Sequence, residues 1–274
     1  MKAKLLKKRD SWSHKGDHGK VLVIGGSRDY AGAPALAALA ALRTGIDLSI
    51  VAAPEQTAWT INTYSPDLIT KKFEGDFFNW DNVKEVIEYC EDGNFDAILI
   101  GPGLGLEPNT MDFVKEVVER IQLPKVIDAD ALKSLDDAEI RNAVLTPHKA
   151  EFYALTEEEL PNDLNERIEV IKRYAKKDKI ILFKSPTDII TDGHSIELNQ
   201  TGNPGMTVGG TGDVLAGLCL GFLAQTKDLF NSAYAAAYLN GKIGDYLLRK
   251  KGYGFTASDM IGLIPSIKKK IKWI

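Results

Sequence analysis

The hydrophobic positions of this chain form short runs that alternate with longer amphipathic segments. Short apolar runs indicate buried strands, and apolar positions repeated every three or four residues indicate helices. Their alternation is typical of βαβ units and a mostly parallel sheet. The predicted strands are residues 21–24, 48–52, 97–100, 125–127, 143–145 and 179–183. The predicted helices among them are residues 35–42, 111–121 and 164–176.

The pattern changes after the last of these strands. Two further strands are predicted between residues 187 and 198, on either side of Asp192-Gly193, a dipeptide that favours a tight hairpin turn. Three helices then follow at 212–224, 231–248 and 257–269 without intervening strands, and we expect them to cover one side of the sheet. No Pro- or Ser-rich linker and no internal repeat divides the chain, so we expect a single α/β domain over residues 1–274.

Composition and charge argue against several classes of protein. A length of 274 residues with 44% hydrophobic content supports a large core, and a net charge of −4 gives no basic surface for nucleic acid. The two cysteines, Cys90 and Cys219, lack the spacing of a zinc site or a redox pair, and Cys219 is expected to be a core residue. The N-terminus is charged and no long apolar run follows, so we expect no membrane association and a cytoplasmic location.

The most unusual segment is the loop at residues 202–214, GNPGMTVGGTGDV, which leads into an apolar helix. Glycine lets backbone N–H groups approach an anion, and a helix N-terminus carries roughly half a positive charge. Asp213 lies where that charge is felt, so we expect it to stay ionised and to accept a proton from a substrate hydroxyl. The alternative is that Asp213 only caps the helix. The expected anion hole comprises Gly209, Gly210, Thr211 and Gly212.

Other unusual loops follow predicted strands, at the edge where open α/β sheets bind ligands. The loop at 25–34 is similar to a dinucleotide-binding turn without matching G-x-G-x-x-G. The GPGLG segment at 101–105 is either a turn that lines a ligand or a tight strand-to-helix connection. Asp128 and Asp130 follow another strand; they either orient a polar ligand or a hydrated metal, or Asp130 caps the next helix.

Two more segments carry candidate chemistry. LTPH at 145–148 places His148 three residues before Glu151 at a predicted helix start. Alternatively, Thr146 caps this helix, Pro147 occupies its first turn, and His148 merely faces water. Lys184 begins a polar bridge between two strands, where it either neutralises a phosphate or remains an exposed charge.

In content and order, these segments resemble the NAD(P)H-hydrate dehydratase family, a branch of the ribokinase-like fold. The resemblance runs from about Lys20 to the last helix, and the pairing of TGNPGM with GTGDVL is its most specific part. The segments that carry it are the turn from Tyr30 to Ala33, GPGLG, Asp128-Ala129-Asp130, LTPH with Glu151, the Lys184 segment and the loop ending in Asp213. It implies a three-layer α/β/α fold with a central, mostly parallel sheet.

The resemblance implies a nucleotide-repair enzyme, a hydro-lyase that restores NADH and NADPH from (6S)-NADHX and (6S)-NADPHX. The added hydroxyl is phosphorylated by ADP or ATP, and the phosphate then leaves as the ring double bond forms. Asp213 would be the general base, and Mg²⁺ would arrive with the nucleotide rather than in a protein metal site. The main alternative is a kinase for a hydroxyethylthiazole or hydroxymethylpyrimidine alcohol on the same fold; a nucleotide-binding sensor without turnover is a third possibility.

The family's binding positions carry over residue by residue. The implied hydrate contacts are Ala33, Gly103, Gly105, His148 and Asp213. The implied nucleotide contacts are Lys184, Ser185, Pro186, Thr187, Asp188 and Gly212. The chain departs from the family pattern at Lys149-Ala150, where a glycine-proline or similar pair is usual, and at Ser185, where glycine is common.

The resemblance also bears on partners. Family members often assemble, so we expect a homo-oligomer, specifically a tetramer. Some members carry an epimerase domain ahead of the dehydratase. Because the first core strand begins near Val21, we expect no such domain here and a separate NAD(P)H-hydrate epimerase as the functional partner.

Overall fold

A computed structural model describes residues 5–135 and 140–274 of the chain. Its central element is a nine-stranded sheet in the order β3-β2-β1-β4-β5-β6-β7-β8-β9. Strands β1 to β7 pair in parallel, and β8 and β9 extend the sheet in antiparallel fashion. The strands are β1 (Lys20–Ile24), β2 (Leu48–Pro54), β3 (Ile69–Phe73), β4 (Ala97–Ile100), β5 (Lys125–Ile127), β6 (Ala143–Leu145), β7 (Lys179–Phe183), β8 (Asp188–Thr191) and β9 (Ile196–Asn199).

Helices cover both faces of this sheet. They are α1 (Gly32–Arg43), α2 (Glu55–Tyr64), α3 (Asn82–Asp92), α4 (Pro108–Arg120), α5 (Lys149–Thr156), α6 (Leu164–Tyr174), α7 (Thr211–Thr226), α8 (Leu229–Lys251) and α9 (Ala257–Lys268). Successive residues of a strand point to opposite faces. Accordingly, Val21 and Val23 of β1 join the core beneath α1, α7, α8 and α9, whereas Leu22 and Ile24 join the core beneath α3 and α4. The expected three-layer α/β/α architecture is confirmed.

The predicted strands are all present, and the last three helices lie on one face of the sheet as expected. Strand β3 and helices α2 and α3 are additional to the predicted elements, and α5 begins at the helix start that was predicted beside His148. The hairpin between β8 and β9 is wider than a two-residue turn: it spans residues 192–195, with the Asp192 carboxylate accepting the N–H groups of His194 (2.8 Å) and Ser195 (2.5 Å). Cys219 is a buried core residue, as predicted, and no helix in the described ranges is long and apolar enough to cross a membrane.

Candidate active site

The loops with unusual residues meet at one edge of the sheet because the strands that precede them are parallel and in register. Ile24 of β1 pairs with Ile100 of β4, and Ile100 with Ile127 of β5. Ile127 in turn pairs with Leu145 of β6. The residues immediately after these partners therefore form a row along the carboxyl edge, which is where ligands bind in such sheets. That row consists of Gly25, Gly101, Asp128 and Thr146.

Glycines in this row allow backbone to pack against backbone. A Cβ on Gly101, where φ is +134°, would lie 1.7 Å from the carbonyl oxygen of Asp128. Gly103 and Gly105 also have positive φ, and a Cβ on Gly103 would lie 2.8 Å from Tyr30 Cβ and 3.4 Å from Ala33 Cβ. GPGLG is thus a tight connection, and its glycines bring the predicted hydrate contacts Gly103 and Ala33 side by side. Beside Gly105, the buried hydroxyl of Ser27 has no hydrogen-bond partner in the described structure.

Lys184 is the hub of a buried ion cluster. Its Nζ lies 2.9 Å from Asp128 Oδ1 and 3.3 Å from Glu151 Oε2, and the lysine side chain is only 19% exposed. Burial alone would lower the pKa of Lys184, but the two carboxylates outweigh it and the net pKa is raised. Thr146 Oγ1 donates a further hydrogen bond of 2.7 Å to Asp128 Oδ1. The interpretation of Lys184 as an exposed charge is therefore wrong.

The two acidic residues after β5 point to different partners. Asp130 accepts the N–H of Gly105 at 3.0 Å and the ammonium of Lys133 at 2.9 Å, so it fastens the GPGLG loop. The 3-10 segment Ala129–Ser134 begins after Asp128 without a side-chain cap, which rules out the interpretation of Asp130 as its cap. Between the two acids, Ala129 has a φ of +53°, a left-handed conformation that is costly for a residue other than glycine and is often found at functional sites.

His148 is the N-cap of α5. Its Nδ1 accepts the N–H groups of Ala150 and Glu151 at 3.1 and 3.2 Å, and Glu151 Oε2 accepts the His148 N–H at 2.9 Å. This reciprocal arrangement is a capping box. The sequence-based alternative was wrong about the cap, because Thr146 and Pro147 lie before it. The side chain of His148 is 50% exposed, and Lys149 and Ala150 simply occupy the first turn of the helix.

Helix α7 begins with a set of open backbone donors. Gly210, with φ +93°, is its N-cap and provides no side chain, while Thr211 Oγ1 donates to the carbonyl oxygens of Met206 (2.7 Å) and Val208 (3.1 Å). Within the described ranges, the backbone N–H groups of residues 209–213 donate to no other backbone carbonyl. Unsatisfied donors at a helix N-terminus form an anion-binding site. The start of α7 therefore offers free backbone donors, and anion binding by Gly209, Gly210, Thr211 and Gly212 remains a prediction.

Asp213 is the third residue of α7, and no hydrogen bond to its carboxylate comes from the described residues. Since Gly210 is the N-cap, the interpretation of Asp213 as the cap is wrong. The pKa of Asp213 is raised to about 7, mainly by burial and further by the neighbouring carboxylates of Asp128, Asp130 and Glu151, while Lys184 acts in the opposite direction. The helix terminus was expected to keep Asp213 ionised; burial and the nearby acids act in the opposite direction and favour its protonated form.

The predicted nucleotide segment lies beside this helix terminus. A Cβ on Gly212 would lie 3.8 Å from Lys184 Nζ, with no other contact within 4 Å. The segment closes on itself, because the Ser185 N–H donates to Asp188 Oδ1 at 3.0 Å and the Ser185 hydroxyl to the carbonyl oxygen of Thr187. Ser185 is absent from the residues with positive φ, so its backbone does not require glycine. The contacts of residues 184–188 with a nucleotide remain a prediction.

The TGNPGM leader is tied to α8 by a residue that the sequence interpretation missed. Asp245 accepts the N–H of Gly202 and the side-chain amide of Asn203, both at 3.3 Å. Asn203 Oδ1 accepts the Gly205 N–H at 3.0 Å. These bonds anchor the segment that leads into the anion hole. An isolated aspartate within a helix has no local signal for this role.

Among the described residues, no group of three or more His, Cys, Asp or Glu side chains could hold a metal ion. Oxygen ligands suit Mg²⁺, but the Asp128 and Glu151 carboxylates already pair with Lys184.

Comparison with known proteins places this chain in a family. Residues 21–266 match the family model described as NAD(P)H-hydrate dehydratase. The chain is 44% identical over 94% of its length to a bifunctional NAD(P)H-hydrate repair enzyme of Pyrobaculum aerophilum, of which it covers 52%. It thus spans about half the length of the bifunctional relatives. It is also 37% identical to an ADP-dependent (S)-NAD(P)H-hydrate dehydratase of Cenarchaeum symbiosum, with 97% of this chain and 94% of the relative covered.

Solved structures agree with the sequence relatives. A ribokinase-like superfamily protein of Enterococcus faecalis superposes with a TM-score of 0.83 at 29% identity, covering 97% of this chain and 92% of that one. An ADP/ATP-dependent NAD(P)H-hydrate dehydratase of Bacillus subtilis, co-crystallised with ATP and Mg²⁺, gives a TM-score of 0.82 at 29% identity, covering 97% and 94%. The fold is ribokinase-like, and the chain belongs to the NAD(P)H-hydrate dehydratase family.

Proposed function

We propose that this protein converts (6S)-NADHX and (6S)-NADPHX to NADH and NADPH at the expense of ADP or ATP. The observation that carries the proposal is the start of α7, where open backbone N–H groups, the Asp213 carboxylate and the Lys184 ammonium lie together. Such a site provides both an anion hole and a base beside it. Family membership and the named activity of the C. symbiosum relative support this choice, and that name also favours ADP.

The first step is phosphoryl transfer. The terminal phosphate of the nucleotide binds at the N–H groups of residues 209–212, with Lys184 compensating its charge. The hydroxyl oxygen of the hydrate attacks the terminal phosphorus of the nucleotide. The bond between this phosphorus and the departing AMP or ADP breaks, and Asp213 takes the hydroxyl proton. A base with a pKa of about 7 is well matched to transfer near neutral pH.

The second step removes the new phosphate ester. The bond between ring carbon and oxygen breaks, phosphate leaves with the electron pair, and loss of a proton from the neighbouring carbon forms the ring double bond. Phosphate is a better leaving group than hydroxide, which explains why a dehydration consumes a nucleotide. The net change is loss of water from the hydrate with hydrolysis of one phosphoanhydride bond.

The proposal assigns contacts on both sides of Asp213. In neutral His148, Nδ1 accepts the capping bonds, so the proton lies on Nε2, which is 3.4 Å from Glu151 Oε1 and on a side chain that is half exposed toward the proposed hydrate. The proposed hydrate contacts are Ala33, Gly103, Gly105, His148 and Asp213. The proposed nucleotide contacts are Lys184, Ser185, Pro186, Thr187, Asp188 and Gly212.

Further parts of the proposal rest on the family. Mg²⁺ would enter with the nucleotide, held by phosphate oxygens and water, because the described side chains offer no cage. An NAD(P)H-hydrate epimerase activity would supply the (6S) isomer, in keeping with the bifunctional names of several relatives. A homotetramer and a cytoplasmic location, where the reduced coenzymes are used, complete the proposal.

The test is direct. Purified protein is mixed with chemically prepared NADHX, Mg²⁺ and either ADP or ATP, and the near-ultraviolet absorbance of reduced nicotinamide is followed together with release of phosphate. We expect the absorbance to return only when nucleotide is present, with one phosphate per coenzyme. No recovery with either nucleotide, together with phosphorylation of a thiazole or pyrimidine alcohol, would refute the dehydratase and favour the kinase. Nucleotide binding without any turnover would favour a sensor.

A further inference from the structure

Lys125 is a buried lysine at the edge of the sheet opposite to the candidate active site. It is the first residue of β5, whose other end leads into Asp128. Only 2% of Lys125 is exposed, and its Nζ donates one hydrogen bond, of 3.1 Å, to the carbonyl oxygen of Arg141. An ammonium group has three donors. Within residues 5–135 and 140–274, no carboxylate forms an ion pair with Lys125.

A buried charge is costly unless it is paired, and Lys184 shows how the same chain compensates one. The Nζ of Lys184 contacts Asp128 and Glu151, and the pKa of this lysine is raised. At Lys125, burial lowers the pKa to about 8. Since this value is still above neutral pH, most Lys125 side chains carry a positive charge for which the described residues provide no counter-charge.

Lys125 lines a cavity of about 180 Å³ together with Val118, Glu119, Gln122 and Arg141. Glu119, Gln122 and Arg141 are exposed to solvent, so the cavity is open to ions. One water needs roughly 10–15 Å³ of such volume, and sites for drug-sized ligands begin at roughly 300 Å³. The cavity is therefore of a size for a small ion with a few waters and too small for a nucleotide.

The cavity has an excess of positive charge and a fixed rim. Its lining contains two cations, Lys125 and Arg141, and a single acid, Glu119. The N–H of Lys125 donates to the carbonyl oxygen of Asn142 at 2.9 Å, and the Asn142 side-chain amide donates to the carbonyl oxygen of Gln122 at 3.2 Å. These bonds join the segment after α4 to the starts of β5 and β6, so the parts of the chain that line the cavity are held together.

We propose that this cavity binds inorganic phosphate, with Lys125 as its central ligand. Phosphate presents several acceptor oxygens at once, and ammonium and guanidinium groups are its usual protein ligands. The bound anion would supply the counter-charge that Lys125 lacks among the described residues. Because a ligand that binds only the folded state stabilises it, the site would make the stability of the protein depend on phosphate concentration. The inference is independent of the proposed dehydratase function, since the cavity and Asp213 lie at opposite edges of the sheet.

The test measures thermal unfolding at neutral pH in sodium phosphate and in sodium chloride of equal ionic strength, with titration calorimetry for direct binding. Lys125→Met removes the ammonium and keeps an apolar stem of similar length. Lys179→Met is the matched control, because Lys179 is a partly buried lysine that begins β7 on the same edge and lies outside the lining. Phosphate also stabilises proteins generally through exclusion from their surface, and the start of α7 is a second proposed anion site. The relevant quantity is therefore the part of the effect that Lys125→Met loses.

We expect phosphate near saturation to raise the wild-type melting temperature at least about 3 °C above the value in chloride. Lys125→Met should lose most of this rise, and calorimetry should show one phosphate fewer per chain, whereas Lys179→Met should behave as the wild type. Equal phosphate effects in the wild type and Lys125→Met would overturn the inference.

A third variant tests the lining independently of Lys125. Glu119→Gln removes the acid of the cavity, so it should bind phosphate about two to five times more tightly than the wild type. A Glu119→Gln variant that is less stable in chloride and binds phosphate no more tightly would overturn the inference, because Glu119 would then be the counter-charge of Lys125. Should Lys125→Met fail to fold, the phosphate affinity of Glu119→Gln decides alone.

Discussion

Asp213→Asn separates the stability of the fold from its activity. The Asp213 carboxylate is partly buried and lies near three other acidic side chains. Both effects raise its pKa, from an ordinary 3.8 to about 7. The shift of about three units corresponds to an upper limit of about 4 kcal/mol at 1.36 kcal/mol per unit. Because the side chain is only half-buried, water screens part of this energy, and we expect a gain of about 1–2 kcal/mol for the neutral asparagine.

The gain in stability of Asp213→Asn over the wild type depends on pH. The pKa of Asp213 is higher in the folded state than in the unfolded chain. Between pH 3.8 and about pH 7, the folded wild type therefore binds more protons than the unfolded chain. Its stability relative to the variant therefore falls as pH rises through that window. The advantage of Asp213→Asn should be close to zero near pH 4 and complete above pH 7.

The assay combines urea denaturation at several pH values with dehydratase kinetics. We expect a variant that is more stable at pH 8 yet at least about a hundred times slower, because it lacks the base. In the wild type, kcat/KM should increase as pH rises through about 7, when Asp213 loses its proton. A variant that is no more stable than the wild type at pH 8 would refute the burial argument, and undiminished turnover would refute the catalytic one.

Three further substitutions test the architecture around this carboxylate. Lys184→Met leaves two buried carboxylates without a counter-charge and should lower the free energy of unfolding by about 3–5 kcal/mol in urea titrations; a loss below about 1 kcal/mol would contradict the ion cluster. In Gly212→Ala, the added Cβ has no neighbour closer than 3.8 Å, so the free energy of unfolding should stay within about 1 kcal/mol of the wild type. The KM for the nucleotide should rise, and an unchanged KM would remove this residue from the proposed nucleotide site. Gly101→Ala would place a Cβ 1.7 Å from the Asp128 carbonyl oxygen and should lower the melting temperature well below that of Gly254→Ala, which meets nothing within 4 Å; equal melting temperatures would contradict the close packing.

The fold could be predicted wherever burial leaves a pattern in the sequence. The central strands are buried on both faces and appear as apolar runs, so β1 and its parallel neighbours were found within a residue or two. Strand β3 was missed because Thr70, Lys71 and Lys72 occupy its middle and it pairs only with β2 at the sheet edge. Helix α3 was missed even though its buried residues Val83, Val86, Ile87 and Cys90 have helical spacing.

The positions of the loops that form the candidate site could be predicted from the sequence, but the contacts between its charged side chains could not. Glycine-rich segments after strands identified the sheet edge, because close backbone approach leaves a local signature. The contacts of Lys184 with Asp128 and Glu151 join residues that are 56 and 33 positions apart in the chain, and only the register of β5, β6 and β7 brings them together. The pKa of Asp213 depends on the same long-range proximity, which no local rule about helix termini includes.

The left-handed conformation of Ala129 has a consequence for how the two substrates influence each other. By turning the chain between Asp128 and Asp130, it directs one carboxylate to the lysine of the proposed nucleotide site and the other to the glycine loop of the proposed hydrate site. A ligand bound at either proposed site would therefore act on the same short segment, Asp128 to Asp130, that holds the other site in place. Binding of nucleotide and hydrate should be mutually reinforcing, and thermodynamic linkage requires each to lower the dissociation constant of the other by the same factor.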